Sequence, residues 1–283
     1  MADERENRNA VFNTPGGTQP GVVAVDRLKS ELGLEIPVDS VPLPTRGKVY
    51  PVNSPLHGCE TVDIKSMTSR EEDILTSRAL IKKGTVVTEL IKSCLTDKSI
   101  SVADMINGDR NALMMAIRIT GYGPEYEADM ECPACNLQQK YQFELDKLSI
   151  KRLEIEPVAI GENCFEFFLP VTKKKVTFKF LTGKDEEEIL VQQERMKKLQ
   201  SVVDSLITTR LRYSIVSIDG KTDKSLITQF VNKMPARDSL MLRKYMEKNE
   251  PGMDMSQTFV CSSCGHMEEV NIPLGISFFW PQS

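Results

Sequence analysis

Cys132-Pro133-Ala134-Cys135 and Cys261-Ser262-Ser263-Cys264 are the stretches from which the rest of this chain is read. Each pair has a two-residue spacer, which lets two thiolates on one tight turn face a single metal ion. Four such thiolates complete a tetrahedral Zn2+ shell at about 2.3 Å per bond. The flanks of the two pairs also resemble each other. Residues 127–131 lead into the first pair and 140–145 lead out, with Tyr141, Phe143 and Leu145 alternating against Gln142 and Glu144. Residues 257–260 and 267–272 flank the second pair in the same way. Each unit therefore predicts a β-hairpin whose turn carries two cysteines.

The expected chemistry is a closed structural Zn2+ site made by Cys132, Cys135, Cys261 and Cys264. A redox CxxC belongs at a helix N-terminus in a βαβ setting, where the thiol pKa falls, and neither pair has that context. A catalytic zinc keeps an open position and draws on His or carboxylate ligands. The chain has two histidines. His266 follows Cys264 closely enough to offer itself as an alternative ligand, whereas His57 sits in the 53–58 loop without ligand spacing and is expected to be exposed.

A length of 283 residues with 40% hydrophobic content allows a core in one or two domains. The net charge of −4 gives no general basic surface, so nucleic-acid binding would need a local patch. Seven cysteines is an odd number, no apolar signal segment follows Met1-Ala2-Asp3-Glu4, and no apolar run is long enough to cross a membrane. A soluble protein of a reducing cytosol is expected, where paired cysteines read as metal ligands. Cys59, Cys94 and Cys164 lack partners at ligand spacing and read as small buried apolar residues.

Residues 1–37 are polar and rich in Pro and Gly at first, then hold a thin helical signal over 22–34; they read as a flexible N-terminal tail. Pro42, Pro44, Gly47 and Pro51 crowd around Leu43, Val49 and Tyr50, which predicts an extended strap with a turn at Thr45-Arg46-Gly47. Alternation over 60–64 predicts a strand. Ser69 and Glu72 have capping-box spacing, so a helix should run to about Lys83 and stop at Gly84. Further helices fit 86–95 and 110–119, giving a proline-rich strap and helical unit over 38–125.

Between the hairpins, 164–169 and 175–181 read as strands, 186–210 as one long helix, 211–219 as a strand, and 224–233 and 236–250 as helices. The fold class expected is α+β: the helical unit, a four-cysteine zinc ribbon of two hairpins formed by 126–145 and 255–283, and an inserted mixed α/β domain over 146–254. Lys173-Lys174-Lys175 and Lys197-Lys198 read as a turn and a solvated helix face. The chain ends in Phe278-Phe279-Trp280-Pro281, and a terminal aromatic cluster should dock, on its own core or on a partner. Nothing in the sequence nominates catalytic residues or a small-molecule cofactor site: HExxH, GxSxG, GxxxxGK[ST] and strand-GxGxxG are all missing.

Val41-Pro-Leu-Pro-Thr-Arg-Gly-Lys-Val-Tyr-Pro51, the helix start Met67-Thr-Ser-Arg-Glu-Glu-Asp-Ile-Leu75 and Arg118-Ile-Thr-Gly-Tyr-Gly123 ahead of the first CxxC resemble baseplate proteins of T-even-type contractile-tailed bacteriophages. The likeness is to the baseplate hub subunit or hub assembly protein family, and the second CxxC followed by Phe-Phe-Trp-Pro shares it. It covers about residues 40–145 and, more loosely, 255–281. It implies a non-enzymatic hub protein or assembly chaperone in tail morphogenesis. Other baseplate or tail proteins would be its partners, with no membrane or small-molecule substrate, and it would act in the host cytoplasm or stay in the virion. The alternative is a nucleic-acid-binding zinc ribbon. Against it stand the acidic flanks Glu127, Asp129, Glu131, Glu268 and Glu269, which repel phosphate.

Overall fold

The computed structural model describes residues 33–198, 206–272 and 276–279. Most of the expected 1–37 tail, most of the 22–34 helix and Trp280 lie outside them, as do the side chains of Lys197 and Lys198. Residues from Pro37 onward form one compact unit.

The strap begins with β1 (Val38–Pro42), which pairs antiparallel with β2 (Thr61–Lys65) so that Val41 faces Val62. It then turns where expected: Arg46 and Gly47 both adopt positive φ. Gly47 is required there, because a Cβ would stand 2.4 Å from the Cys59 nitrogen and the Leu56 oxygen. Leu43, Val49 and Tyr50 are buried, so the strap lies on the core. Its polar anchor is Asp109, fully buried, which accepts hydrogen bonds from the Thr45 N–H (3.0 Å), the Thr45 hydroxyl (2.6 Å) and the Tyr50 hydroxyl (2.7 Å).

The predicted first helix is two helices, α1 (Ser69–Thr76) and α2 (Arg78–Lys83). Its cap is also one residue earlier than predicted. Thr68 is the N-cap, and Glu71, not Glu72, accepts from the Thr68 N–H (2.9 Å). Glu71 is fully buried and also takes the Ser93 hydroxyl, so tertiary contact decides between two overlapping capping patterns. The break falls at Ser77, just after Thr76 turns its hydroxyl back onto the carbonyls of Glu72 and Asp73. Gly84 stops α2 in the left-handed conformation, as expected.

α3 (Val86–Cys94) buries Val86, Leu90, Ile91 and Cys94. α4 (Asn107–Tyr122) is longer than the periodicity suggested. Its first turn presses against the returning chain: a Cβ on Gly108 would meet the Pro251 oxygen at 1.8 Å. Two hairpin strands follow, β3 (Glu125–Glu131) and β4 (Gln138–Glu144).

β5 (Ile150–Lys151) pairs antiparallel with β9 (Gly252–Met253), so the chain leaves and re-enters this region side by side. Within it, β6 (Phe165–Phe168), β7 (Lys175–Phe178) and β8 (Ile215–Ile218) form an antiparallel sheet in that order. The helix predicted over 186–210 is described as α5 (Gly183–Lys198) and α6 (Leu206–Ser214), with 199–205 outside the described residues. The strand predicted from Leu211 starts only at Ile215, because α6 buries Leu211 and the Ser214 carbonyl then accepts from the Lys179 N–H at 2.8 Å. α7 (Lys224–Lys233) is capped by Asp223 on the Leu226 N–H, and α8 (Ala236–Asn249) leads to β9.

β10 (Ser256–Val260) and β11 (Met267–Asn271) make the second hairpin. Phe278 and Phe279 dock on the chain's own core. Buried Arg118 fastens them: its Nε donates to the Phe278 carbonyl (3.0 Å), and its Nη1 and Nη2 donate to the carbonyls of Gly123 (2.8 Å) and Glu125 (3.0 Å). One hydrophobic core runs from Ile64 and Leu90 through Leu113 and Phe143 to Phe178 and Phe278.

Candidate metal centre

The two CxxC pairs occupy equivalent turns. In the first, the Cys132 N–H donates to the Leu137 carbonyl (2.9 Å), and the Asn136 N–H returns to the Cys132 carbonyl (2.8 Å). In the second, the Cys261 N–H donates to the His266 carbonyl (2.9 Å), and the Gly265 N–H returns to the Cys261 carbonyl (3.1 Å). The residue after the second cysteine has positive φ in both, 56° at Asn136 and 70° at Gly265, and Asn and Gly are the residues that tolerate it.

These turns bring all four thiols together. Cys132 Sγ lies 3.7 Å from Cys264 Sγ, Cys135 Sγ lies 3.7 Å from Cys261 Sγ, and all four sulfurs fall within 4.8 Å of one another. A tetrahedron with metal–sulfur bonds of about 2.3 Å has sulfur–sulfur edges of about 3.8 Å. The spacing therefore fits a four-coordinate ion, and the four-cysteine cluster can hold a metal.

Cys132 and Cys261 are buried with Phe259, while Cys135 and Cys264 face solvent. Hydrogen bonds reinforce the apposition of the hairpins. The Tyr141 hydroxyl donates to the Thr258 carbonyl (2.8 Å), Gln139 Nε2 donates to the Val260 carbonyl (3.2 Å), and Gln139 Oε1 accepts from the Ser262 N–H and hydroxyl. Tyr141 and Phe259 pack with ring centroids 5.3 Å apart.

The electrostatics suit a bound cation. The N–H groups of Cys264 and Ser263 hold the Cys261 thiol at about 6. At Cys135 the Leu137 N–H pulls the other way from desolvation and the neighbouring thiols, which win and push it up to about 12. Four thiols this close cannot all ionise unless a positive charge sits among them.

His266 stands outside the cluster; its ring is 3.9 Å from Glu268, and its carbonyl serves the second turn. His57 is half-buried rather than exposed, with Nδ1 2.6 Å from the Tyr50 carbonyl. Of the three remaining cysteines, Cys94 is buried as expected, and desolvation followed by the Glu71 charge raises its thiol to about 12. Cys59 and Cys164 are only half-buried. Lys173 takes a left-handed turn conformation, and Lys174 and Lys175 pair with Asp219 and Glu166. The flanking acids Asp129, Glu131, Glu268 and Glu269 are all exposed around the ribbon. Among the described residues, no helix is long and apolar enough to cross a membrane.

The sequence reading missed Asp109 and Arg118 as organising residues. Asp109 looks like an ordinary acidic residue in the first turn of a helix, and Arg118 like one of many surface cations. Their partners lie far away in sequence, so no local pattern marks them.

Two antiparallel hairpins joined at a four-cysteine cluster, set on a mixed helical and sheet body, define an α+β protein of the cysteine-ribbon kind. The chain belongs to the family described as T4 bacteriophage base plate protein, which matches residues 43–280. The match takes in the strap from Leu43 onward, the helical unit and both CxxC pairs, and extends across 146–254, where the residues alone carry no resemblance. Membership brings a structural role in the phage tail baseplate, among other tail proteins. No curated protein and no solved structure matches the chain.

Proposed function

We propose that this chain is a baseplate hub subunit or hub assembly protein, acting without catalysis through protein–protein contacts in tail morphogenesis and stabilised by one structural Zn2+. The observation that carries this reading is the cysteine cluster: four thiols from two remote hairpins, spaced for a tetrahedral ion, in a chain of the baseplate family. A soft all-thiolate set selects zinc among divalent ions without redox chemistry. Bound there, zinc supplies closure and geometry, and the protein's own surfaces supply the contacts.

On this reading the ribbon formed by 126–145 and 255–283 is a staple, and 146–254 is an insertion whose two ends are held beside each other by β5 and β9. The strap and helical unit over 38–125 present the partner-binding faces. The exposed acids around the ribbon turn phosphate away, which argues for protein partners. The chain acts in the host cytoplasm during assembly and, as a hub subunit, remains in the virion. Mass spectrometry of purified particles beside the infected-cell lysate tests this. Presence in both identifies a hub subunit, presence in assembling baseplates of the lysate alone identifies an assembly protein, and absence from both overturns the reading.

A further inference from the structure

Four cations converge on one side of the helical unit of a protein whose overall charge is negative. Lys65 from β2, Arg70 from α1, Lys92 from α3 and Lys98 from the loop beyond it line a concavity of about 310 Å³. Two of them are already engaged. Lys98 Nζ caps the C-terminal end of α3, donating to the carbonyls of Lys92 (2.8 Å) and Ser93 (2.9 Å). Lys65 stands 3.7 Å from the buried Glu71. Arg70 and Lys92 are exposed and, among the described residues, have no ion-pair partner. Arg70 sits in the first turn of α1, where a helix disfavours a cation, so local helix energetics do not account for it.

The cations also act on one another. Burial first, and then the charges of Lys65 and Arg70, lower the Lys98 pKa, which a bound anion would reverse. Glu89 is the acid that lines it, and the buried Glu71 lies 3.7 Å from Lys65, so four cations meet two carboxylates. This leaves room for a small number of negative charges rather than a polyanion track. The floor also carries Ile74, an apolar contact that a peptide side chain can use, and no aromatic ring lines it for a base to stack on.

We propose that this concavity is a docking site for an acidic segment of a partner protein, whose carboxylates sit between Arg70 and Lys92. This rests on the baseplate reading and gives that reading a face and a partner chemistry. The test is fluorescence anisotropy of the full chain with a fluorescein-labelled hexaglutamate peptide. Saturable binding that weakens as salt rises is expected, with a loss of about tenfold on Arg70→Glu combined with Lys92→Glu. Metal content should not change, and the melting temperature should change little, since the swap favours the first turn of α1 about as much as it disfavours the last turn of α3. The single Lys92→Gln variant, which preserves size and removes one charge, should lose about threefold and covers the case in which the double variant misfolds.

Equal affinity of the folded variants and the unsubstituted chain would overturn the proposal. So would a dT12 oligonucleotide that displaces the peptide better than unlabelled hexaglutamate, which would make the hollow a phosphate site. Failure here is separable from failure of the baseplate reading. If the unsubstituted chain is found in particles or assembling baseplates and no peptide binds, only the docking site falls. If the chain is in neither and the peptide binds, only the baseplate reading falls.

Discussion

The strap and the ribbon each tie distant parts of the chain together, and they do so by different means. At the strap, Thr45 and Tyr50 reach the carboxylate of Asp109 inside a core that also buries Leu43, Val49 and Leu113. Burial supplies the free energy there, and the hydrogen bonds select one geometry. At the ribbon, the two-stranded hairpins share a small interior of Cys132, Phe259 and Cys261, flanked by the half-buried Met130, Tyr141 and Val270. Two-stranded hairpins are marginal by themselves in water. Apolar area between the turns is small, and on the proposed reading an ion would do there what burial does at the strap.

The largest effect expected at the strap comes from Asp109→Ala. It strips the Thr45 N–H, the Thr45 hydroxyl and the Tyr50 hydroxyl of their common acceptor in a buried site, at a cost of about 3–5 kcal/mol by urea denaturation. Metal content should be unchanged if the two regions are held independently. A variant that melted early and also lost its metal would show that the ribbon depends on the strap.

A smaller effect should appear with pH. Glu71 is drawn down from its ordinary 4.5 to about 2: desolvation opposes this, but the Ser93 hydroxyl, the Thr68 hydroxyl and N–H, and the Lys65 charge outweigh it. A carboxylate with a depressed folded pKa contributes stability above the unfolded value and loses it as pH falls through the folded one. The contribution should therefore be complete above about 4.5 and fade toward about 2. Denaturation of the native chain and of Glu71→Gln at pH 6 and pH 3 checks it. The two should differ most at pH 6, by less than half as much at pH 3, and converge only as pH falls through about 2, and any acid release of a bound metal cancels because both proteins carry the same thiols.

The smallest effect belongs to the ribbon. Tyr141→Phe removes one half-exposed hydrogen bond to the Thr258 carbonyl and should cost about 0.5–1 kcal/mol. Hydrogen exchange should rise in β4 and β10 and leave β6–β8 unaffected. A loss as large as that of Asp109→Ala would mean the hairpins are held by direct contacts.

The contrast also explains which parts of the structure were legible. The cysteine turns were, because metal-ligand spacing is local and the flanking alternation is written within each hairpin. The strap turn at Arg46-Gly47 and the stop at Gly84 were legible for the same reason: a positive φ is a property of one residue. The capping acid was not, since Thr68-Ser69-Arg70-Glu71-Glu72 contains two overlapping capping patterns, and Ser93, a residue of another helix, selects Glu71. Nor was the start of β8, where helix α6 continues through Ser214 before the sheet takes over at Ile215. Asp109, Arg118 and the cationic hollow depend on segments far apart in the chain, and no periodicity records such meetings.

The claim that an ion does at the ribbon what burial does at the strap is tested most directly by metal analysis of the purified full-length chain and its Cys132→Ser/Cys135→Ser variant, paired with thermal melting. One zinc per chain is expected in the native protein, with none in the variant and a large drop in melting temperature. A native protein without zinc, together with a variant of unchanged stability, would contradict it.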